Sequence, residues 1–257
     1  YSESIRVPFP EGSMGLPTVD YGKFGRSNEL HYAFHAVSAF HAEKGRWPAP
    51  HSSEDMAAVA APAGAFPKGR QGAEAVPAGW PAGPYVPPPD ANAETSKAVA
   101  ACASVQLPAL TEFIGGVAAQ EIVKLTGKYT PLRQWLYWDA FEALPPAEPV
   151  ADFTGSDDRY HFSNVMFGKT ITQAVRESRV FLVGAGALGC EYFKSFALAG
   201  VGTAGNGKIT VTDMDNIETS NLNRQFLFRA KDVGAAKSVS AAAAAQVMNP
   251  DLKGRVT

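Results

Sequence analysis

The stretch "RVFLVGAGALGCEYFKSFALAG", residues 179–200, holds Gly184, Gly186 and Gly189 in the spacing G-x-G-x-x-G. This spacing lets a chain turn tightly, bring its backbone against a ligand and pack a helix closely on a strand. The helix that follows presents free N–H groups and a partial positive charge to an anion. Asp213 comes 24 residues after Gly189 and closes the next apolar run, where an acid can accept hydrogen bonds from ribose hydroxyls. A dinucleotide-binding unit needs little more than this. The segment "VTDMDNIETSNLNRQFLF", 211–228, adds Asp215, Asn221, Arg224 and Gln225, and Lys237 follows. Two acids one residue apart suggest two duties: Asp213 for ribose, Asp215 for a hard cation such as magnesium, which prefers oxygen ligands. Arg224 and Lys237 can neutralise a phosphate chain, Asn221 can orient a phosphate oxygen or a metal-bound water, and Gln225 joins them as a nucleotide contact. Together they suit a nucleoside triphosphate under attack better than a dinucleotide held for hydride transfer. The same arginine and lysine also read as solvated surface charges.

These residues need a frame. Val180–Val183 reads as a buried strand, 187–199 as a helix, "GKITVTD" as a second strand and 233–248 as a second helix, with "KGRVT" the beginning of a third strand. The fold class is therefore α/β, a Rossmann-like unit that is incomplete, preceded by a mainly helical segment. "GKT" at 168–170 resembles the end of a phosphate-binding P-loop but has Ser163 where that motif needs glycine, so Lys169 reads as a surface lysine. Cys190 lies in the first turn of the glycine-motif helix, where a thiolate is favoured; without a nearby histidine in sequence it reads as packing against the sheet.

Upstream, "SNELHYAFHAVSAFHAEKG" reads as a helix capped by Ser27 or Asn28, with Glu29 in its first turn, an apolar stripe of Leu30, Phe34, Val37 and Phe40, and a stop at Gly45. His31 and His35 stand at a zinc-holding spacing but lack the intervening glutamate of HExxH and a third ligand, and read as ordinary half-exposed histidines. Residues 48–89 hold ten of the 19 prolines and read as a linker or long loop. Helical pattern returns over 92–107, with Cys102 in core packing. A strong helix spans 109–127, expected to bury Phe113, Val117, Ile114, Ile122 and Leu125. Its Gly115-Gly116 pair suggests the close approach of another backbone. "RQWLYWD", 133–139, alternates like a strand, and prolines then mark a boundary near 145–157.

Composition narrows the function class. The chain has 257 residues, 46% of them hydrophobic, with a net charge of −2, so nothing points to nucleic acid. Two cysteines without a CxxC argue against a disulfide framework or a cysteine zinc site and fit a reducing compartment. No apolar run approaches a membrane span, so no membrane association is expected. No signal peptide is visible, and a start without methionine suggests an internal piece of a longer protein.

"FLVGAGALGCE", "VTDMDNIETSNLNRQFLFRAKDVGAAKS" and "MNPDLKG" resemble the active adenylation half of the ubiquitin-activating enzyme family, a ThiF/MoeB-type unit. "FIGGVAAQEIVKLTGKYTPLRQWLYWDAFEALP" resembles the tail of the inactive half that precedes it. The resemblance is close from about Leu110 to Thr257 and looser over 27–107. It implies three parts: 1–107, a four-helix-bundle-like insertion; 108–150, the tail of the inactive half; and 151–257, the N-terminal part of the active, nucleotide-binding half. Both halves on one chain favour the ubiquitin-type enzyme over activators of other ubiquitin-like proteins. The resemblance implies ATP and Mg2+, with contacts from Gly184, Gly186, Ala187, Gly189, Asp213, Arg224, Gln225 and Lys237, Asp215 at the metal and Asn221 at the phosphates. Asn221, Arg224 and Lys237 are the implied catalytic residues. It further implies attack of the ubiquitin C-terminal carboxylate on the α-phosphate, then thioester formation on a cysteine outside this chain and passage to ubiquitin-conjugating enzymes, in cytoplasm and nucleus. His161 and Ser163 depart from the family's Asp and Gln after Arg-Tyr. With its third strand barely begun and the family's later metal-binding acid and thioester cysteine placed beyond Thr257, the chain is expected to be inactive by itself. The competing readings are a nicotinamide-dependent oxidoreductase, supported by the glycines and Asp213 alone, and a non-catalytic scaffold.

Overall fold

A computed structural model describes residues 23, 26–61, 92–132, 136–145 and 152–257. The chain divides into two units, one drawn from 1–105 and 118–146, the other from 106–117 and 147–257.

The first unit is built on three helices, α1 (Arg26–Lys44), α2 (Ser53–Ala60) and α3 (Ala93–Cys102). Leu30, Ala33, Ala36, Val37 and Phe40 of α1 meet Val59 of α2, Val99 and Ala100 of α3, and Tyr137 in one apolar core. Phe34, expected in that stripe, is exposed; the small Ala33 and Ala36 take the buried face instead and let the helices approach. Gly45, with φ 69°, ends α1 as expected. The reading of 48–89 as a linker fails over 53–60: Ser52 caps α2 through the Asp55 N–H, and Arg46 holds the buried Asp55 carboxylate at 2.6 and 2.9 Å. Those local bonds outweigh the proline-rich surroundings. Residues 62–91 lie outside the described residues. α3 is capped by Asn92 and stops at Cys102, five residues short of the expected end; burial pushes the Cys102 thiol up to about 11. His31 hydrogen-bonds the Tyr137 hydroxyl at 2.8 Å and meets His35 edge-on, and desolvation lowers its pKa to about 4. The expected strand at 133–139 is not formed among the described residues; 137 makes a single isolated bridge, and the Tyr137 side chain packs into the helical core.

Helix α4 (Pro108–Lys124) forms where its periodicity predicts, but it buries no residue. Phe113 and Val117 are half-buried, while Ile114, Ile122 and Leu125 are exposed. Nothing among the described residues lies within 4 Å of where Gly115 or Gly116 would carry a Cβ, so the close backbone approach is not found there.

The second unit carries α5 (His161–Phe167), α6 (Lys169–Arg176), β1 (Arg179–Val183), α7 (Ala187–Ala199), β2 (Lys208–Thr212) and α8 (Lys237–Met248). β1 and β2 pair in parallel, Val180 opposite Ile209 and Leu182 opposite Val211. A right-handed crossover through α7 is the expected connection for such a pair. Ile209 also bridges Val256 in parallel, with Ile209 N–H to Arg255 O at 2.9 Å and Val211 N–H to Thr257 O at 2.8 Å, so the third strand begins beside β2. One sheet face packs on α7 and α8 through Cys190, Phe193, Ala197, Ala241 and Ala245. On the other, Phe181 and Val183 stay exposed. α8 starts at Lys237 rather than 233, because residues 234–237 are taken up by backbone pairing with 215–217.

The entry to this unit is tied down despite His161 and Ser163. Tyr160, 2% exposed, donates its hydroxyl to Asp251 at 2.8 Å and accepts from Asn249 Nδ2 at 3.1 Å, while the Arg176 guanidinium lies over its ring. Arg159 reaches the Met248 carbonyl, and His161 bonds the Ser156 carbonyl.

Candidate nucleotide site at the end of the sheet

The site lies where β1 turns into α7. Gly184 has φ 95°, a backbone region that a side chain strains, and its N–H donates to Thr212 O at 2.7 Å, binding the turn to the end of β2. A Cβ on Gly189 would stand 2.2 Å from the Gly184 carbonyl oxygen, so the first and third glycines are locked against each other. Gly186 meets only Gln225, at 4.0 Å, and leaves room above the turn. Gly186 O accepts the Cys190 N–H, the first bond of α7 with its N-cap, so the N–H groups of 187–189 point out of the helix end unmatched by intrahelical acceptors. An anion fits there.

Asp213 is fixed by the backbone of the same turn. Its Oδ2 accepts the Ala185 N–H at 2.6 Å and its Oδ1 the Asp215 N–H at 2.8 Å. Each oxygen keeps acceptor capacity for a further donor such as a ribose hydroxyl. Asp215 is exposed, and the Lys237 ammonium donates to its Oδ2 at 2.7 Å. Thus Ala185, Asp213, Asp215 and Lys237 form one hydrogen-bonded sequence, from the glycine turn to the first residue of α8.

The remaining polar residues fill a turn beside it. Asn221, buried, accepts the Glu218 N–H through its side-chain oxygen at 3.0 Å, and its carbonyl accepts the N–H groups of Arg224 and Gln225. Gln225 is 4% exposed, and its Oε1 is buried without a hydrogen bond. Arg224 stays exposed and folds back on its own turn, donating to Ser220 O and Asn223 Oδ1. The structure therefore joins the glycines, both aspartates and Lys237, sets Gln225 beside Gly186, and leaves Arg224 on the rim.

Cys190 is fully buried, its thiol directed at the Ala185 carbonyl, and burial raises its pKa, so it packs against the sheet as read from sequence. Lys169 is exposed at the start of α6. Sequence reasoning missed the Asp215–Lys237 pair and the Tyr160–Asn249–Asp251 cluster. The "MNPD" segment carried a usable signal for the second, since Asn249 caps the turn that Pro250 begins.

Among the described residues no group of three or more His, Cys, Asp or Glu is placed to hold a metal, and no helix is long and apolar enough to cross a membrane.

Residues 160–257 match the model of the ThiF family, and residues 1–66 that of the ubiquitin-activating enzyme E1 four-helix bundle. Human ubiquitin-like modifier-activating enzyme 1 is 42% identical over 91% of this chain and 21% of its own length. Ubiquitin-activating enzyme E1 1 of Candida albicans is 38% identical over 92% of this chain and 23% of its own. The chain thus spans about a fifth of the length of these relatives. Among solved structures, Escherichia coli tRNA N6-threonylcarbamoyladenosine dehydratase TcdA in complex with ATP is 31% identical over 35% of each chain, with a TM-score of 0.32. The order of the matched segments, helical bundle before glycine turn, is the order read from the sequence. Residues 160–257 thus match the ThiF family, in a chain that is similar to ubiquitin-activating enzymes along nine-tenths of its length.

Proposed function

We propose that this chain is the part of a ubiquitin-activating enzyme that holds ATP and magnesium while the C-terminal carboxylate of ubiquitin is adenylated. On this reading residues 1–107 are the helical insertion, 108–150 the tail of the inactive half and 151–257 the start of the active half. The observation that carries it is the run of contacts from Ala185 N–H through Asp213 and Asp215 to Lys237. A nicotinamide site uses the first acid after the glycine turn; the second acid and its lysine add an oxygen ligand for a cation and a cation for phosphate.

The residues present fit the ligands. The open space at Gly186 and the N–H groups opening α7 suit a phosphate. Asp215 offers an exposed carboxylate, and Mg2+ is commonly held by one or two carboxylates with the remaining positions filled by substrate phosphates and water. Asp213, oriented by two backbone donors, takes the ribose. Lys237 and Arg224 neutralise the phosphates, with Asn221 and Gln225 shaping the turn that presents Arg224. In the reaction a carboxylate oxygen of ubiquitin bonds to the α-phosphorus while the bond to the β-phosphate oxygen breaks and pyrophosphate leaves. Charge grows on the oxygens beside Arg224 and Lys237, which is where cationic donors lower the barrier. Thioester formation, transfer to conjugating enzymes and a place in cytoplasm and nucleus belong to the whole protein on the same reading.

The test uses the full-length protein. ATP with Mg2+ should raise its melting temperature, and NAD should not. Arg224→Ala should slow ubiquitin-dependent ATP–pyrophosphate exchange about 30- to 1000-fold, the range for loss of one transition-state donor. Stabilisation by NAD in place of ATP, or normal exchange in a folded Arg224→Ala protein, overturns the assignment.

A further inference from the structure

The residues read as phosphate ligand and metal ligand occupy one another. Lys237 Nζ lies 2.7 Å from Asp215 Oδ2, and the Lys237 side chain is 9% exposed against 63% for Asp215. The pair is held from both sides by backbone: Lys237 N–H donates to Asp215 O at 3.1 Å, Asn216 bridges Ala236, and Ile217 exchanges bonds with Gly234 and Ala235. The two side chains therefore cannot drift apart with their loops. Either can change partner only by rotating in place.

From this we propose that the Asp215–Lys237 pair makes the site select a metal–phosphate unit over either component alone; the inference rests on the nucleotide reading above and deepens it. A phosphate arriving without metal must take the ammonium away from its carboxylate, leaving Asp215 an unpaired anion beside the incoming charge. A cation arriving without phosphate takes the carboxylate and strands the buried ammonium. Removing one partner of such a pair is costly because the other charge is left uncompensated. When both arrive, the carboxylate passes to the metal and the ammonium to the phosphate, and each charge stays paired. Metal and phosphate binding are then coupled, and the coupling acts equally on both ligands. The discrimination resides in this pair because Lys237 has no other ion-pair or side-chain hydrogen-bond partner among the described residues.

Calorimetric titration of the full-length protein separates this from a passive metal ligand. The probes are ATP in EDTA, ATP with Mg2+, and Mn2+ alone followed by its electron paramagnetic resonance signal. In the unaltered protein ATP should bind about tenfold more weakly in EDTA than with Mg2+, a step of about 1.4 kcal/mol. Asp215→Asn frees the ammonium, so ATP in EDTA should bind several-fold more tightly than to the unaltered protein, and the advantage of Mg2+ should vanish. Lys237→Met frees the carboxylate and should tighten bare Mn2+ several-fold. Glu218→Gln removes a carboxylate from the same loop but not from Lys237, and should leave affinity in EDTA within twofold. If Asp215→Asn loses the Mg2+ advantage without gaining affinity in EDTA, or gains no more than Glu218→Gln, the exchange of partners is refuted while Asp215 remains a metal ligand. Unchanged Mn2+ binding in Lys237→Met refutes it independently, even where Asp215→Asn does not fold. No ATP binding by the unaltered protein in either condition refutes the nucleotide reading itself, and this proposal with it.

Discussion

Asn249 is fully buried at the end of α8, and its amide uses every useful direction. Nδ2 donates to Ala197 O at 2.8 Å and to the Tyr160 hydroxyl at 3.1 Å, and Oδ1 accepts the Asp251 N–H at 3.1 Å. Asn249→Ala removes all three bonds. At about 1 kcal/mol net for each, the loss is about 3 kcal/mol. The stranded Ala197 carbonyl, at the last turn of α7, adds the cost of a buried acceptor without a partner, about 1 kcal/mol or more. Tyr160→Phe removes only the hydroxyl that links Asn249 to the half-exposed Asp251, and should cost about 1–2 kcal/mol. Native-state hydrogen exchange with peptide-level mass spectrometry reads this within the α/β unit itself. In the slowest amides of α7 and β2, Asn249→Ala should raise exchange rates by more than 100-fold, since each 1.4 kcal/mol is tenfold, and Tyr160→Phe by about ten-fold. Tryptophan fluorescence is no substitute, because 152–257 contains no tryptophan. A rise under fivefold for Asn249→Ala would refute the reasoning: the cluster would then be decoration on a unit held together by its apolar core.

The other expectations concern the glycine turn, pH and the thiols. Gly189→Ala brings a methyl to 2.2 Å from a backbone carbonyl that cannot swing away, so ATP–Mg2+ affinity should fall at least tenfold by calorimetry while the far-ultraviolet circular dichroism is retained; unchanged affinity would show that the turn opens freely. His31 is neutral in the folded helical unit down to about pH 4 but titrates near 6.5 when unfolded. Unfolding therefore takes up a proton between those values: the stability contributed by neutral His31 is whole above pH 6.5 and is lost as pH falls toward 4, by at most about 3 kcal/mol. Urea titrations of the unaltered chain and His31→Gln, followed by tryptophan fluorescence, should diverge in pH slope over that window, and parallel slopes would count against it. Cys190, buried with its thiol shifted upward, should react with a disulfide reagent only as fast as the α/β unit opens, so that Asn249→Ala accelerates its labelling as it accelerates exchange.

The β1–α7–β2 unit was legible because three signals agree there: a short apolar run, glycines whose spacing is geometric, and a second strand followed at once by an acid. Gly184 and Gly189 play the parts their spacing implies, although Gly189 presses on the turn rather than on the strand. The pairing of Asp215 with Lys237 was not legible, since it depends on 215–217 lying alongside 234–237, a register that no local pattern encodes. α2 was hidden by composition: a serine cap, an Arg46–Asp55 pair and Val59 in the core hold its eight residues, and proline counting does not see them. α4 shows the reverse. Its apolar periodicity predicts a helix correctly, but periodicity says nothing of what covers the stripe, and none of Ile114, Ile122 and Leu125 is covered among the described residues.

The Tyr160 cluster also bears on the order in which the unit can assemble. Its bonds to Asn249 and Asp251 close loops of 89 and 91 residues, and closing a flexible loop of that length costs about 4 kcal/mol of chain entropy. The pairing of β1 with β2, by contrast, spans a single crossover. During synthesis the glycine turn and its sheet can therefore form while the chain is still emerging, but the turn at Asn249–Asp251 must leave the ribosome before Tyr160 has anything to hold. Until then Tyr160 and the last turn of α7 are an open apolar and polar seam. This clasp belongs to the final step of folding, so changes in it should speed unfolding far more than they slow folding.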